Sequence, residues 1–210
     1  MKLPFTTEQF FNVIEKYNLT MFPFQLIIFM MGIGCLFLLH SKLSAKDKLI
    51  GICLGTLWIW IGVAYHLAFF TVINKAAYLF GVIFILQGLF ILLSTFGKNR
   101  LIFKFTLQTK GYLGYFFILY GLIVYPIISY FVEGSIERTI VMGLPCPSTI
   151  FTFGFFILAG NKFPRYLLII PSLWAIVGLS AAINIGVFQD VMIIIAAITA
   201  DIILILRKKE

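Results

Sequence analysis

Six long stretches of this chain contain no lysine, arginine, aspartate or glutamate; they cover 17–41, 49–74, 76–97, 111–132, 139–161 and 166–189. Each exceeds the roughly 20 apolar residues that a helix needs to cross about 30 Å of hydrocarbon. A seventh run, 191–206, is interrupted only by Asp201. Because backbone groups in lipid must be hydrogen-bonded within the spanning structure, uninterrupted runs of this length predict α-helices and argue against barrel strands.

The composition supports the same class of protein. Hydrophobic residues make up 61% of the chain, charged residues make up 11%, and the mean hydropathy is +1.06, which lies outside the range of soluble domains. We therefore predict an all-α integral membrane bundle of seven transmembrane helices, preceded by a short amphipathic interfacial helix at 6–17. Residues 1–210 form a single transmembrane domain in this prediction. The predicted spans are 20–40, 49–70, 76–96, 112–132, 145–161, 166–185 and 189–206.

Basic residues predict the orientation of the bundle. With seven spans, the segments on one side carry twelve lysines and arginines and those on the other side carry four. Short loops rich in lysine and arginine face the cytoplasm, so the N-terminus is expected outside and the C-terminus inside. The net charge of +8 is then explained by orientation and by attraction to anionic lipid headgroups. The lipid bilayer is thus the expected partner, and no nucleic acid is expected.

The segment before the first span has the pattern of an amphipathic helix. Thr6 or Thr7 is a candidate N-cap, and Gln9 stands three residues after Thr6, as in a capping box. Phe10, Phe11, Ile14 and Tyr17 share one side of this helix, while the other side is polar. We interpret it as a simple interfacial tether in preference to a lid across an outward-facing site.

Polar residues from six different helices gather near the predicted outer end. Such convergence within apolar segments indicates a cavity that opens outward and binds a ligand. The three tryptophans lie inside spans, and at least one indole N–H is expected to face a polar interior. The candidate ligand-binding residues are His66, Asn74, Tyr125, Cys146, Thr149, Asn184, Gln189 and Asp190.

Cys146 stands between Pro145 and Pro147, which predicts the start of a helix because proline fits the first helical turn. Unpaired amides there would favour a thiolate. We favour a packed thiol in a rigid turn over a reactive thiol. Together with His66 and Asp190, Cys146 has donor types that could bind a metal ion, although none of the three is at close helical spacing. No catalytic residue is assigned, and no cofactor can be named.

Small residues recur where helices are expected to approach closely. Gly178, Ala182 and Gly186 follow one another at intervals of four residues, and Gly51 and Gly55 do the same. Small residues at this spacing allow transmembrane helix backbones to come into contact. We predict that these positions serve helix packing.

Four segments resemble an uncharacterised family of bacterial polytopic membrane proteins, a domain of unknown function. They read PFTTEQF, WIWIGVAYHLAFFTVIN, PCPSTIFTFG and IPSLWAIVGLSAAINIGVFQD. The resemblance spans most of the chain and implies one intact multi-pass domain in a prokaryotic cytoplasmic membrane. It carries no activity or ligand that can be transferred to these residues.

The leading functional hypothesis is a non-enzymatic membrane protein that binds or transports a small solute or a metal ion through the outward-facing polar cavity. One alternative is a membrane-embedded enzyme or redox protein that uses Cys146, with His66 as the base. The other is a non-catalytic accessory subunit that binds a partner membrane protein. Homo-oligomerisation is compatible with all three hypotheses.

Overall fold

Each charge-free run becomes largely helical in the computed structural model, which describes residues 3–97, 100–160 and 163–206. Within these ranges the chain has nine α-helices and no strand, so the all-α prediction is confirmed. The helices are α1 Thr7–Met21, α2 Phe24–His40, α3 Lys46–Trp60, α4 Ala77–Phe96, α5 Thr109–Leu119, α6 Tyr125–Glu133, α7 Pro145–Ile157, α8 Ile169–Ile185 and α9 Val191–Ile205.

Several helices continue with a different helical pitch. A π-helical segment, Ile61–Leu67, extends α3, and another, Tyr120–Val124, joins α5 to α6. Short 3-10 turns, Arg165–Leu168 and Phe188–Asp190, precede α8 and α9. The length of a possible membrane span therefore includes these π-helical and 3-10 segments as well as the α-helix.

Five helical segments of the described chain are long and apolar enough to cross a membrane: Lys46–Val72, Ala77–Phe96, Thr109–Glu133, Arg165–Ile185 and Phe188–Ile205. The pair α1 and α2 would make a sixth if it counts as one span, although its two helices are bent by 86°. The predicted number of seven spans is therefore not confirmed.

Helix α7 accounts for part of this difference. The predicted span was 145–161, but the helix ends at Ile157 and has 13 residues, about 20 Å of length at 1.5 Å per residue. Almost every side chain in it is buried, and it packs mainly against α5 and α9. A helix that is apolar all round is surrounded by other helices. Here the apolar run reflects burial at the centre of the bundle.

Helix α1 begins as the sequence predicts. The Thr6 hydroxyl accepts a hydrogen bond from the Gln9 amide at 3.2 Å, and the Gln9 side chain accepts one from the Thr6 amide at 2.8 Å, which completes the capping box. The helix continues to Met21, four residues beyond the predicted end. Its apolar side packs on the bundle: Ile14 and Tyr17 are almost fully buried.

Glycines allow two pairs of antiparallel helices to approach closely. A Cβ added to Gly88 of α4 would lie 2.5 Å from the carbonyl oxygen of Gly55 on α3. In the same way, a Cβ on Gly154 of α7 would lie 2.6 Å from the carbonyl oxygen of Gly114 on α5. The packing role predicted for Gly55 is thus confirmed. For Gly186 it is wrong, because this residue ends α8 in a left-handed conformation (φ 87°) and a Cβ there would meet nothing within 4 Å.

The connections alternate between two ends of the bundle. At one, which we call the α1 end, Arg138 contacts Glu8 on α1, and Tyr125 contacts Asp190 before α9. At the other, which we call the opposite end, the Phe103 amide donates to the carboxylate of Asp47 at 2.9 Å. The α1 end therefore brings together the loops in which the candidate site residues were predicted.

Candidate ligand-binding cavity

A partly enclosed cavity of about 390 Å³ lies at the α1 end. Its lining includes segments from α1, α4, α6, α7 and α8, together with the residue that precedes α9. Four of the eight candidate residues belong to this lining: Asn74, Tyr125, Cys146 and Asp190. Half of the residues predicted from the sequence therefore lie on the wall of one cavity.

The other four candidates lie outside the lining. His66 is fully buried behind the aromatic rings of the wall. Thr149 is buried one turn into α7, where its hydroxyl donates to the carbonyl oxygen of Pro145 at 2.8 Å. Gln189 is buried beside Asp190, and its backbone oxygen accepts a hydrogen bond from the hydroxyl of Tyr120 at 3.4 Å. Asn184 is exposed and donates to the backbone oxygen of Ser180 at 2.7 Å.

The lining is mainly apolar, whereas the sequence predicted a polar cavity. Aromatic and aliphatic side chains from most of the contributing elements surround a few polar groups. The difference has a simple cause: hydropathy patterns place a residue along a span, but they do not show which way each helix is rotated. The side chains that complete the wall were therefore not identifiable as site residues; they include Phe5, Phe10, Ile14, Tyr65, Phe70 and Phe80.

Asp190 is the acidic residue of the cavity lining, and its side chain is 3% exposed. It stands at the N-cap position of α9 but makes no capping hydrogen bond. Its carboxylate instead accepts a hydrogen bond from the hydroxyl of Tyr125 at 2.5 Å, and the thiol of Cys146 also interacts with it. The left-handed Gly186 ends α8 just before this turn. The sharp connection thus carries the carboxylate inward, beside the amino end of α9, whose dipole favours a negative charge.

Cys146 lies in the first turn of α7, because the helix begins at Pro145 as the two prolines predict. It lines the cavity beside Asp190 and Trp174. Both ring nitrogens of the buried His66 lack a hydrogen-bond partner, so no thiol–imidazole hydrogen bond of the kind that activates a cysteine nucleophile is formed. Among the described residues there is also no group of three histidine, cysteine, aspartate or glutamate side chains that could hold a metal ion.

Trp174 contributes an indole ring to the wall. It is 8% exposed, and its indole nitrogen has no hydrogen-bond partner. The ring packs edge-on against Phe80 and Phe84, with centroids 5.4 Å and 4.9 Å away. The other two indoles are satisfied, since Trp58 donates to Thr152 and Trp60 donates to Tyr17. The only sequence signal for Trp174 was its position within a span, away from an interface.

Both π-helical segments lie beside the cavity. Tyr65 and His66 belong to the first, and Tyr125 directly follows the second. A π-helical turn accommodates an additional residue and rotates the following side chains relative to a regular α-helix. Single π turns inside helices are frequent at functional sites. No hydropathy pattern predicts such a turn, so the inward direction of these tyrosines is decided by the folded chain.

Helix α1 covers part of the cavity, and Phe10 and Ile14 contribute to its lining. Arg138 holds this helix from the loop before α7, with its guanidinium 2.8 Å from Glu8 and 3.0 Å from Glu15. Hydrogen bonding to this guanidinium lowers the pKa of Glu8, and the two carboxylates raise the pKa of Arg138. Helix α1 thus forms part of the cavity wall, and its predicted role as an interfacial tether stays a prediction.

Comparison with known proteins gives a family and no activity. The model of a family of unknown function, DUF6064, matches residues 7–210. No curated protein and no solved structure matches the chain. The match begins at the first residue of α1 and includes every element of the cavity after the short N-terminal segment. Because it covers nearly the whole sequence, the chain belongs to this family of unknown function.

Proposed function

We propose that the protein is a multi-pass membrane protein that binds a small, mainly apolar organic solute in the cavity at the α1 end. One observation carries this proposal: a buried carboxylate, Asp190, lies on the wall of an otherwise largely apolar cavity of about 390 Å³. Ligand sites are typically cavities of about 300–1,000 Å³ with apolar walls and a few convergent polar groups that orient the ligand.

The outer surface of the bundle supports a membrane location. Large apolar side chains are exposed along α2, α4, α8 and α9, and Phe37, Leu93 and Ile183 are each exposed by more than 60%. Soluble monomers rarely expose apolar surface on this scale. The five long apolar segments would cross the bilayer, α2 of the bent α1–α2 pair would be a sixth span, and the buried α7 would provide the seventh hydrophobic element.

The distribution of basic residues supports an outward-facing cavity in a cell membrane. Among the described residues, the α1 end carries Lys16, Lys75 and Arg138, whereas the opposite end carries Lys42, Lys46, Lys48, Arg100, Lys104, Lys110 and Arg165. The more basic end is expected in the cytoplasm. A fluorescent protein fused to the C-terminus should therefore fluoresce, and alkaline phosphatase at the same position should be inactive. The reverse pattern would contradict the proposed orientation.

Towards the opposite end, the cavity is closed by the core of the bundle in this conformation. Beneath Cys146, the floor continues into α7, where Phe151, Phe153 and Phe155 are fully or almost fully buried. The close contact between Gly114 and the backbone of α7 leaves no room for a passage between α5 and α7. The geometry therefore supports binding from one side, and transport would require α7 or its neighbours to move.

The binding proposal can be tested with the apolar fluorophore N-phenyl-1-naphthylamine and the full-length protein in lipid nanodiscs. We expect saturable fluorescence enhancement from one site for each protein molecule. Ser180→Trp should reduce this signal at least tenfold, because Ser180 lines the cavity and an indole would fill part of it.

The matched control is Ile183→Trp, which places the same side chain on the same helix at a position that is 73% exposed and outside the lining. It should bind the fluorophore like the wild type. Equal signals from both variants and the wild type would show that the dye reports only on lipid, and the absence of any saturable signal would contradict the proposed cavity site.

A further inference from the structure

We propose that the ligand of this cavity is an organic monocation, with one ammonium group placed between the carboxylate of Asp190 and the rings of Tyr65 and Trp174, and with an apolar body that fills the remainder. This inference rests on the proposed function, since it concerns the same cavity. It adds the charge of the ligand and the contacts that recognise it.

The first argument concerns charge. Asp190 is almost fully buried, and no lysine or arginine is among the described residues that line the cavity. The ion pairs seen in the described chain join Arg138 to Glu8 and Glu15, away from Asp190. A buried carboxylate is costly unless it is paired with a cation and fully hydrogen-bonded. A cationic ligand would supply the missing charge.

The second argument concerns hydrogen bonding. An ionised carboxylate has about four acceptor positions on its two oxygens. The hydroxyl of Tyr125 donates to one oxygen, and the thiol of Cys146 lies close enough to hydrogen-bond to the carboxylate as well. These two groups are neutral, so they orient the carboxylate without neutralising it. Acceptor capacity therefore remains for an N–H donor that enters from the cavity.

The third argument concerns the aromatic wall. Tyr65, Phe70, Phe80 and Trp174 line the same cavity as Asp190. The faces of aromatic rings attract cations within about 6 Å, most strongly where water is excluded. An ammonium group beside Asp190 would therefore be stabilised by the carboxylate and by the rings.

The same wall argues against other classes of solute. Anions and zwitterions would place a carboxylate or phosphate beside the carboxylate of Asp190, and the described residues of the lining include no lysine or arginine to pair with it. Sugars would leave many hydroxyls without partners against phenyl rings. A bare metal ion lacks a set of three ligating side chains in the described part of the chain. An amphiphilic amine satisfies the carboxylate and the apolar wall together.

The test compares three molecules with the same phenylpropyl body: 3-phenylpropylamine, 3-phenylpropan-1-ol and 3-phenylpropionate. Each displaces N-phenyl-1-naphthylamine from the full-length protein in nanodiscs at pH 7. We expect the amine to displace the dye at concentrations at least about tenfold lower than the alcohol, and the carboxylate to be weakest. Equal potency of the amine and the alcohol would overturn the inference, because Asp190 would then be neutral or out of reach.

Two variants assign this preference to Asp190. In Asp190→Asn, the concentrations of the amine and of the alcohol that displace the dye should become about equal. Asp201→Asn is the control, since this acid accepts hydrogen bonds from Ser172 at 3.0 Å and 3.1 Å and lies outside the lining. A preference that persists in Asp190→Asn would overturn the inference while leaving the proposed function intact. Absence of dye binding to the wild type would overturn both.

Discussion

Replacement of Gly88 by alanine should separate α3 from α4 and destabilise the protein. A Cβ at this position would lie 2.5 Å from the carbonyl oxygen of Gly55 and 2.6 Å from Cγ1 of Ile59, whereas ordinary contacts begin at 3.4 Å. The oxygen of Gly55 and the amide nitrogen of Ile59, which would lie 3.0 Å from the added Cβ, are backbone atoms that cannot rotate away. Helix α4 must therefore move back locally by about 0.9 Å, the difference between 3.4 Å and the 2.5 Å to Gly55. Overpacking of this kind typically costs about 1–3 kcal/mol.

A matched substitution removes the intrinsic preference of alanine for helices from this comparison. Alanine is better than glycine in a helix interior by about 1 kcal/mol, and the same gain applies to Gly34→Ala on α2, where a Cβ would meet nothing within 4 Å. The difference between the two variants should therefore be about 1–3 kcal/mol in the free energy of unfolding. For a chain of this length, a difference of about 2 kcal/mol corresponds to about 4–8 °C in the midpoint of thermal unfolding.

Thermal unfolding of both variants in the same detergent, followed by tryptophan fluorescence, measures this difference. Trp58 is a suitable reporter because it is fully buried on α3 and stacks on Phe84 of α4 at 4.5 Å. If Gly88→Ala unfolds at the same temperature as Gly34→Ala or above it, the close backbone contact between α3 and α4 is wrong. The arrangement of the glycine-paired helices would then need revision.

Three further outcomes follow from single contacts. Thr152→Val should lower the free energy of unfolding by about 0.6–1.7 kcal/mol in a denaturant titration, because the indole of Trp58 loses its acceptor at 3.0 Å, whereas Thr152→Ser should not. Arg138→Ala should accelerate amide hydrogen exchange in α1 a few-fold; unchanged exchange would show that these ion pairs do not hold the helix. Because its folded pKa is lowered from 4.5, Glu8 stabilises the fold above pH 4.5, and this contribution is lost as the pH falls through the lower folded value. The protection factors of the α1 amides in the wild type, which correct for the intrinsic pH dependence of exchange, should therefore fall there.

Helix positions follow closely from the sequence, with limits set by what hydropathy measures. The capping residue Thr6 and the helix start at Pro145 were predicted from local chemistry, and both are confirmed. The predicted span 145–161 is longer than α7, which ends at Ile157 and is buried by other helices. A long apolar run looks the same in a helix that crosses lipid and in a helix enclosed by other helices. Length alone therefore predicted a helix correctly but could not assign its surroundings.

The sequence also predicted one part of the candidate site and not the other. Asn74, Tyr125, Cys146 and Asp190 were placed at one end by counting spans, and all four line the cavity. The aromatic residues of the wall were not predicted, because phenylalanine, tyrosine and tryptophan occur both on helix faces that contact lipid and on helix faces that line a cavity. Their direction depends on how far each helix is rotated, and this rotation is set by packing between helices.

The sequence by itself determined that the chain forms apolar helices, where most of them begin and end, and which polar residues lie at the same depth. These properties depend on neighbours along the chain: hydropathy, capping and the missing amide of proline. Only the tertiary structure decided that α7 is enclosed, that α1 covers the cavity, and that the hydroxyl of Tyr125 meets the carboxylate of Asp190. Those contacts join residues far apart in sequence, through helix rotations and π-helical turns that local chemistry does not specify.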